Sequence, residues 1–185
     1  MKNLLLITSV TLALFSLVFT SCTPKVDVPP GDVFRDVMTF KLSENGAAAV
    51  DVKIFENTLG VYNGSLAPEP QNGDPRPMLL AGTTMEADYN ISIAFADVGT
   101  NVKGKYVVAR SAGGNKVVWT TTRQESGLIA SSMLGEGGEV EITGVTFEGN
   151  RAFVSGTFSL TGTNVDSEPF TITNGIIDRM PLLTQ

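Results

Sequence analysis

The chain has 185 residues, with 13 lysines and arginines against 19 aspartates and glutamates, one cysteine and no histidine. Lacking histidine, it cannot build a Ser-His-Asp triad or most transition-metal sites, and one cysteine permits no disulfide within the chain. A net charge of −6 with no Lys/Arg cluster argues against nucleic acid as a partner.

Residues 1–21 have the order of a secretory signal: a positive start at Lys2, a 16-residue apolar run from Leu4 to Phe19, then Thr20 and Ser21. Cys22 follows at the position where a bacterial lipoprotein signal is cut and the cysteine acylated. Phe19-Thr20-Ser21 fits that pattern, with the two small residues in place and Phe19 standing where a leucine is usual. A membrane-spanning helix is the competing reading. The run is shorter than the ~20 residues needed to cross a bilayer and contains Thr8, Ser9, Thr11 and Ser16. An ordinary signal would leave Cys22 as an unpaired thiol in an oxidising compartment, which is unusual. The expectation is a lipid-anchored envelope protein at the outer membrane, with the periplasmic face slightly favoured.

Residues 22–34 read as the lipidated cysteine and an extended tether. Pro24, Pro29, Pro30 and Gly31 oppose helix, and at ~3.1 Å per residue the segment would hold a domain about 35 Å from the bilayer. The 164 residues from Cys22 onward are a normal length for one domain. Residues 35–180 are expected to form it, with 181–185 as a tail.

Period-two alternation then dominates. Met38, Phe40 and Leu42 alternate with Thr39 and Lys41; Val50, Val52 and Ile54 alternate with Asp51 and Lys53. Tyr89 to Phe95, Tyr106 to Ala109 and Val117 to Thr122 continue it, the last in a threonine run suited to pleated surfaces. In Val140-Glu141-Ile142 the apolar set is even-numbered, whereas Val145 and Phe147 are odd. The phase therefore flips at Gly144, as at a β-bulge. Gly149-Asn150 between Phe147 and Arg151 predicts a hairpin, and Val154 to Leu160 and Phe170 to Ile177 complete the pattern. Gln124 to Leu134 is the one stretch with some helical character, weakened by Gly127 and its serines. The fold class expected is all-β: a single antiparallel β-sandwich or flattened barrel of about 8–9 strands.

In order, Met38-Thr39-Phe40-Lys41-Leu42, Val154-Ser155-Gly156-Thr157-Phe158-Ser159-Leu160 and Ile172-Thr173-Asn174-Gly175 resemble the strand motifs of a family of small bacterial lipoproteins carrying an uncharacterised all-β domain. The resemblance covers about two-thirds of the mature chain and is strongest over 138–178. It implies fold class and localisation, and no catalytic residue.

Few constellations carry chemistry. Glu139 and Glu141 share one strand face, but Val140 and Ile142 claim the opposite one, so the carboxylates read as solvated charge. Loop 66–77 offers oxygens for calcium, yet it lacks a D-x-[DN]-x-[DN]-G pattern and consists of ordinary turn formers. Ser131-Ser132 lie in no G-x-S-x-G or S-x-x-K motif. Trp119 is the sole tryptophan and the candidate ligand-binding residue, as a stacking platform for a glycan; its place in a strand after Val117-Val118 makes a core role the stronger reading. The sequence thus points to a non-enzymatic protein with no catalytic residue, metal or cofactor, Cys22 as lipid-attachment site, and an envelope protein as partner. A glycan or small ligand is the alternative.

Overall fold

The computed structural model describes residues 35–56, 63–70, 73–84, 88–111, 113–126 and 128–184. Cys22, the signal and the tether lie outside them. Ten strands and no helix are present among the described residues: β1 (Asp36–Glu44), β2 (Val50–Phe55), β3 (Gly64–Leu66), β4 (Met78–Thr83), β5 (Tyr89–Phe95), β6 (Gly104–Val108), β7 (Lys116–Glu125), β8 (Leu128–Glu148), β9 (Arg151–Asn164) and β10 (Pro169–Thr184).

They form one sheet whose pairings run β10–β3–β4–β5–β7–β8–β9 and back to β10, so the sheet closes on itself. β8 and β10 make this possible by changing partners along a single edge. The start of β8 pairs with β7 and its later part with β6; β10 pairs first with β1 and at its end with β3. A strand that switches neighbours must bend, and β8 shifts register between Gly135 and Gly137 and again between Ile142 and Gly144. Gly138 has φ +113°, and a Cβ there would collide with Ser159 O. The register shift at Ile142/Gly144 is the phase flip expected from the sequence, and the β8–β9 hairpin turns at Gly149-Asn150 as expected.

Alternate residues point inward to one core. Its centre is aromatic: Trp119 lies 4.8 Å from Phe158 and 6.2 Å from Phe40, the latter edge-on. Phe95 and Tyr106 meet edge-on at 5.0 Å nearer one end.

The structure corrects four expectations. There are ten strands rather than eight or nine, since β3 has only three residues and β4, with Leu79-Leu80 adjacent, does not alternate visibly. The sheet is mixed rather than purely antiparallel, because β3–β10 and β6–β7 pair in parallel over two residue pairs each. Residues 181–184 are not a tail: they complete β10 against Arg151–Phe153, with Met180, Pro181 and Leu182 buried. Arg179 at φ +44° sits in a register shift between Ile177 and Met180, and the alternation that would reveal a strand is interrupted there. Gln124 to Leu134 is a hairpin rather than a helix, with Ser126 at φ +54° in its turn.

Candidate functional site

β1 and β2 branch from the closed sheet. β1 lies between β10 and β2, and β2 has no strand on its other side among the described residues. The direction of its backbone groups follows from two hydrogen bonds. Glu56 N–H donates to Arg35 O at 2.9 Å, toward β1, whereas Phe55 C=O points away and accepts from Asn63 Nδ2 at 3.1 Å. The register shift in this pair lies on β1, between Asp36 and Met38, so the alternation along β2 is unbroken. Backbone groups of an antiparallel strand alternate sides residue by residue. The N–H and C=O of Asp51 and Lys53 therefore face outward, away from β1.

These groups open onto a groove of ≈ 350 Å³. Asp51, Val52, Lys53 and Phe55 form one wall; Thr84, Asp88 and Tyr89 form the other. The inward side chains of β2 are held from beneath. Ile54 packs directly onto Gly82 of β4, where any Cβ would overlap the Ile54 methyl. The two layers thus meet at Ile54 and part toward Asp51. On the solvent face Lys41 Nζ reaches Asp51 Oδ1 at 2.9 Å and Lys53 Nζ reaches Asp36 Oδ2 at 3.2 Å. Both β2 side chains stay largely exposed, Asp51 at 71% and Lys53 at 59%.

The far wall continues into a polar row on the inner face. Tyr89, Arg123 and Ser131 are successive cross-strand neighbours on β5, β7 and β8. Glu44 of β1 lies 3.9 Å from Arg123 Nε. Burial, and then the negative charge of Glu44, push the Tyr89 hydroxyl above its ordinary pKa. Arg123 Nε and Ser131 Oγ are buried without a hydrogen-bond partner among the described residues.

A second concavity, of ≈ 510 Å³, lies on the outer face of β7 and β8 beside the β9–β10 turn. Hydroxyls of Thr120, Thr122, Ser132 and Thr163 line it, with Val165 at its rim. Arg110 Nη2 and Thr163 Oγ1 both donate to Glu136 Oε1, and these bonds, that of Thr163 first, hold the Glu136 carboxyl below the usual range.

The residues singled out from the sequence fall elsewhere. Trp119 is fully buried, and its Nε1 donates to the buried Thr121 Oγ1 at 2.8 Å. It cannot present a face to a ligand, and the stacking role is withdrawn. Glu139 and Glu141 stand on the outer face of β8, sharing Lys105 Nζ at 2.9 and 3.7 Å, while Val140 and Ile142 are buried. Loop 66–77 is tied down at its C-terminal end by the buried Arg76. Its Nε donates to Ala67 O at 2.9 Å, and Asp97 Oδ1 accepts from Arg76 N–H and Gly99 N–H. Those two bonds hold the Asp97 carboxyl below its ordinary pKa. No group of three or more acidic or cysteine side chains placed to hold a metal occurs among the described residues. Sequence reasoning registered Asp51 and Lys53 only as the polar face of a strand; nothing local marks that strand as an edge.

Comparisons with protein-family models, with curated proteins and with solved structures give no match.

Proposed function

We propose that this chain is a lipid-anchored protein of the bacterial envelope, non-enzymatic, whose β-domain binds a protein partner by accepting an extended segment alongside β2. The observation that carries this reading is the outward backbone of Asp51 and Lys53 on the outer strand of a sheet that otherwise closes. Such an edge offers main-chain hydrogen bonds in a fixed direction, and strand addition uses them for affinity while flanking side chains set specificity. The anchor rests on Phe19-Thr20-Ser21-Cys22 and the apolar run before it. β1 begins at Asp36, one residue after the expected start of the domain at Arg35, and ends at Glu44. Its nine residues place the Glu44 end about 30 Å beyond the point of attachment.

Two experiments test the reading. Fatty-acid labelling of cells should mark the wild-type chain and fail to mark Cys22→Ser; equal labelling removes the anchor. A photoactivatable side chain at position 51 should give a protein adduct in intact envelopes, and the same group at position 161, on the outer face of β9, should not. No adduct at 51 overturns the edge reading.

A glycan or small ligand is the second reading, favoured by the hydroxyl-lined concavity at Thr120, Thr122, Ser132 and Thr163. Side-chain hydroxyls both donate and accept, as a neutral polyol requires. It ranks lower because Trp119 is unavailable for stacking and the exposed Phe147 does not line that concavity. A thermal-shift screen against envelope glycans decides it: ligand at a hundredfold its Kd stabilises by ~2.7 kcal/mol, and a flat screen removes this reading.

A further inference from the structure

Resting on the edge reading above, we infer that the segment β2 accepts is β2 of a second copy, paired antiparallel about a two-fold axis through Val52. The inference comes from register. In an antiparallel ladder, residues whose N–H and C=O both face the partner form hydrogen-bonded pairs, and those between them form the closer, non-hydrogen-bonded pairs. Outward groups belong to Asp51 and Lys53. An axis on Val52 sets Asp51 opposite Lys53 of the other copy and Lys53 opposite its Asp51. Both are hydrogen-bonded pairs, about 5.5 Å apart at Cα. Four main-chain hydrogen bonds and two opposite-charge pairs result, with Val52 against its own copy between them.

The same register places Val50 of each copy against Ile54 of the other, on the inward side of the strand. Val50 is 48% exposed in the single chain, an apolar residue half open to solvent at an edge. Two-fold pairing extends the apolar row of one copy into that of the next. The two neighbouring registers, centred on Asp51 or on Lys53, are penalised. An axis on Asp51 puts two aspartates opposite each other, and an axis on Lys53 puts two lysines together; like charges directly opposite destabilise a ladder. Asn63, bonded to Phe55 O, marks where the ladder stops. Charges on an edge normally deter pairing. Here the order Asp51-Val52-Lys53 deters other registers and favours one, which makes the interface isologous and closed at two copies.

Charge exchange tests this on the full-length chain, by sedimentation in density-matched detergent. The wild type is expected to shift from monomer to dimer as concentration rises, because a single strand pair is a small interface. Asp51→Lys alone and Lys53→Asp alone should each remain monomeric, facing lysine with lysine or aspartate with aspartate. The double exchange Asp51→Lys with Lys53→Asp should restore the dimer. An equal mixture of the two single variants should give a heterodimer, while recovery of a homodimer by the double exchange is expected of the Val52 axis and not of an axis on residue 51 or 53, where like charges would still meet. Thermal melting of each variant verifies that the monomer is folded. A wild type that stays monomeric at its highest soluble concentration overturns the inference, as do single variants that dimerise like the wild type. An adduct at position 51 to a different protein would overturn it while leaving the edge reading intact; no adduct at all would remove both.

Discussion

The wall made by β8, β9 and β10 and the margin made by β1 and β2 solve the same problem in opposite ways. In the wall, strands of 21, 14 and 16 residues pair along their length, and β9 is flanked on both sides by long ladders. Its inward residues, among them Val154, Phe158 and Leu160, are buried, while Thr157, Ser159 and Thr161 take the opposite side. In the margin, β2 has the same alternation over six residues but, among the described residues, a ladder on one side alone. The two regions differ in pairing rather than in pattern. Burial of one face makes a strand; a second neighbour makes it part of a closed sheet; and where that neighbour is missing, side-chain charge governs what may approach.

Removing side chains from the core, to which β7 and the wall both contribute, should cost most. Trp119→Ala deletes the largest fully buried side chain and its contacts with Phe158 and Phe40, and is expected to lose about 3–5 kcal/mol in urea or thermal unfolding. A cost below ~1 kcal/mol would mean that Trp119 is not in the centre of the core. Leu182→Ala comes next. As a residue of a loose tail it would matter little, but as a buried member of β10 it should cost ~2–5 kcal/mol. The same unfolding measurement separates the two.

That second case marks where the sequence stops being legible. Alternation located β1, β2, β5 to β7, the later part of β8, β9 and most of β10, because a half-buried strand announces itself every second residue; the start of β8 read as weakly helical. Alternation missed β3 and β4, which are too short or too evenly apolar to alternate, and lost the end of β10 at the positive-φ Arg179. Gly144 was readable as a bulge because apolar residues lie on both sides of the flip. Closure was not readable. It depends on β8 and β10 changing partners, and partner choice is a property of the assembled sheet. The candidate site was invisible for the same reason: Asp51 and Lys53 look like the polar face of any strand until β2 is known to lie outermost. Trp119 shows the converse, since its alternation with Val117 placed it in the core and the structure agrees.

Where the inner polar row meets the core, the expected effect is smaller and of opposite sign. Ser131 Oγ is buried without a hydrogen-bond partner among the described residues, which leaves its desolvation without an offset. Ser131→Ala should therefore leave stability unchanged or raise it by up to ~1 kcal/mol, read as a higher urea midpoint. A loss beyond ~1 kcal/mol would show that the hydroxyl is bonded in solution, to an ordered water for example, and that the row is satisfied.

The smallest effect is expected on the margin, and it bears most directly on the comparison. Lys53 contributes an exposed ion pair with Asp36, and exposed pairs are worth little. Lys53→Ala should change monomer stability by no more than about 0.5 kcal/mol, within the range of ordinary surface substitutions. Measured at a concentration where the chain is monomeric, that result would mean that the outward side of β2 supports no part of the fold and is open to a partner. A larger loss would mean that the chain itself already covers this edge and draws on Lys53 to do so. The margin would then be another part of the wall, and a protein partner would have to be sought on a different surface.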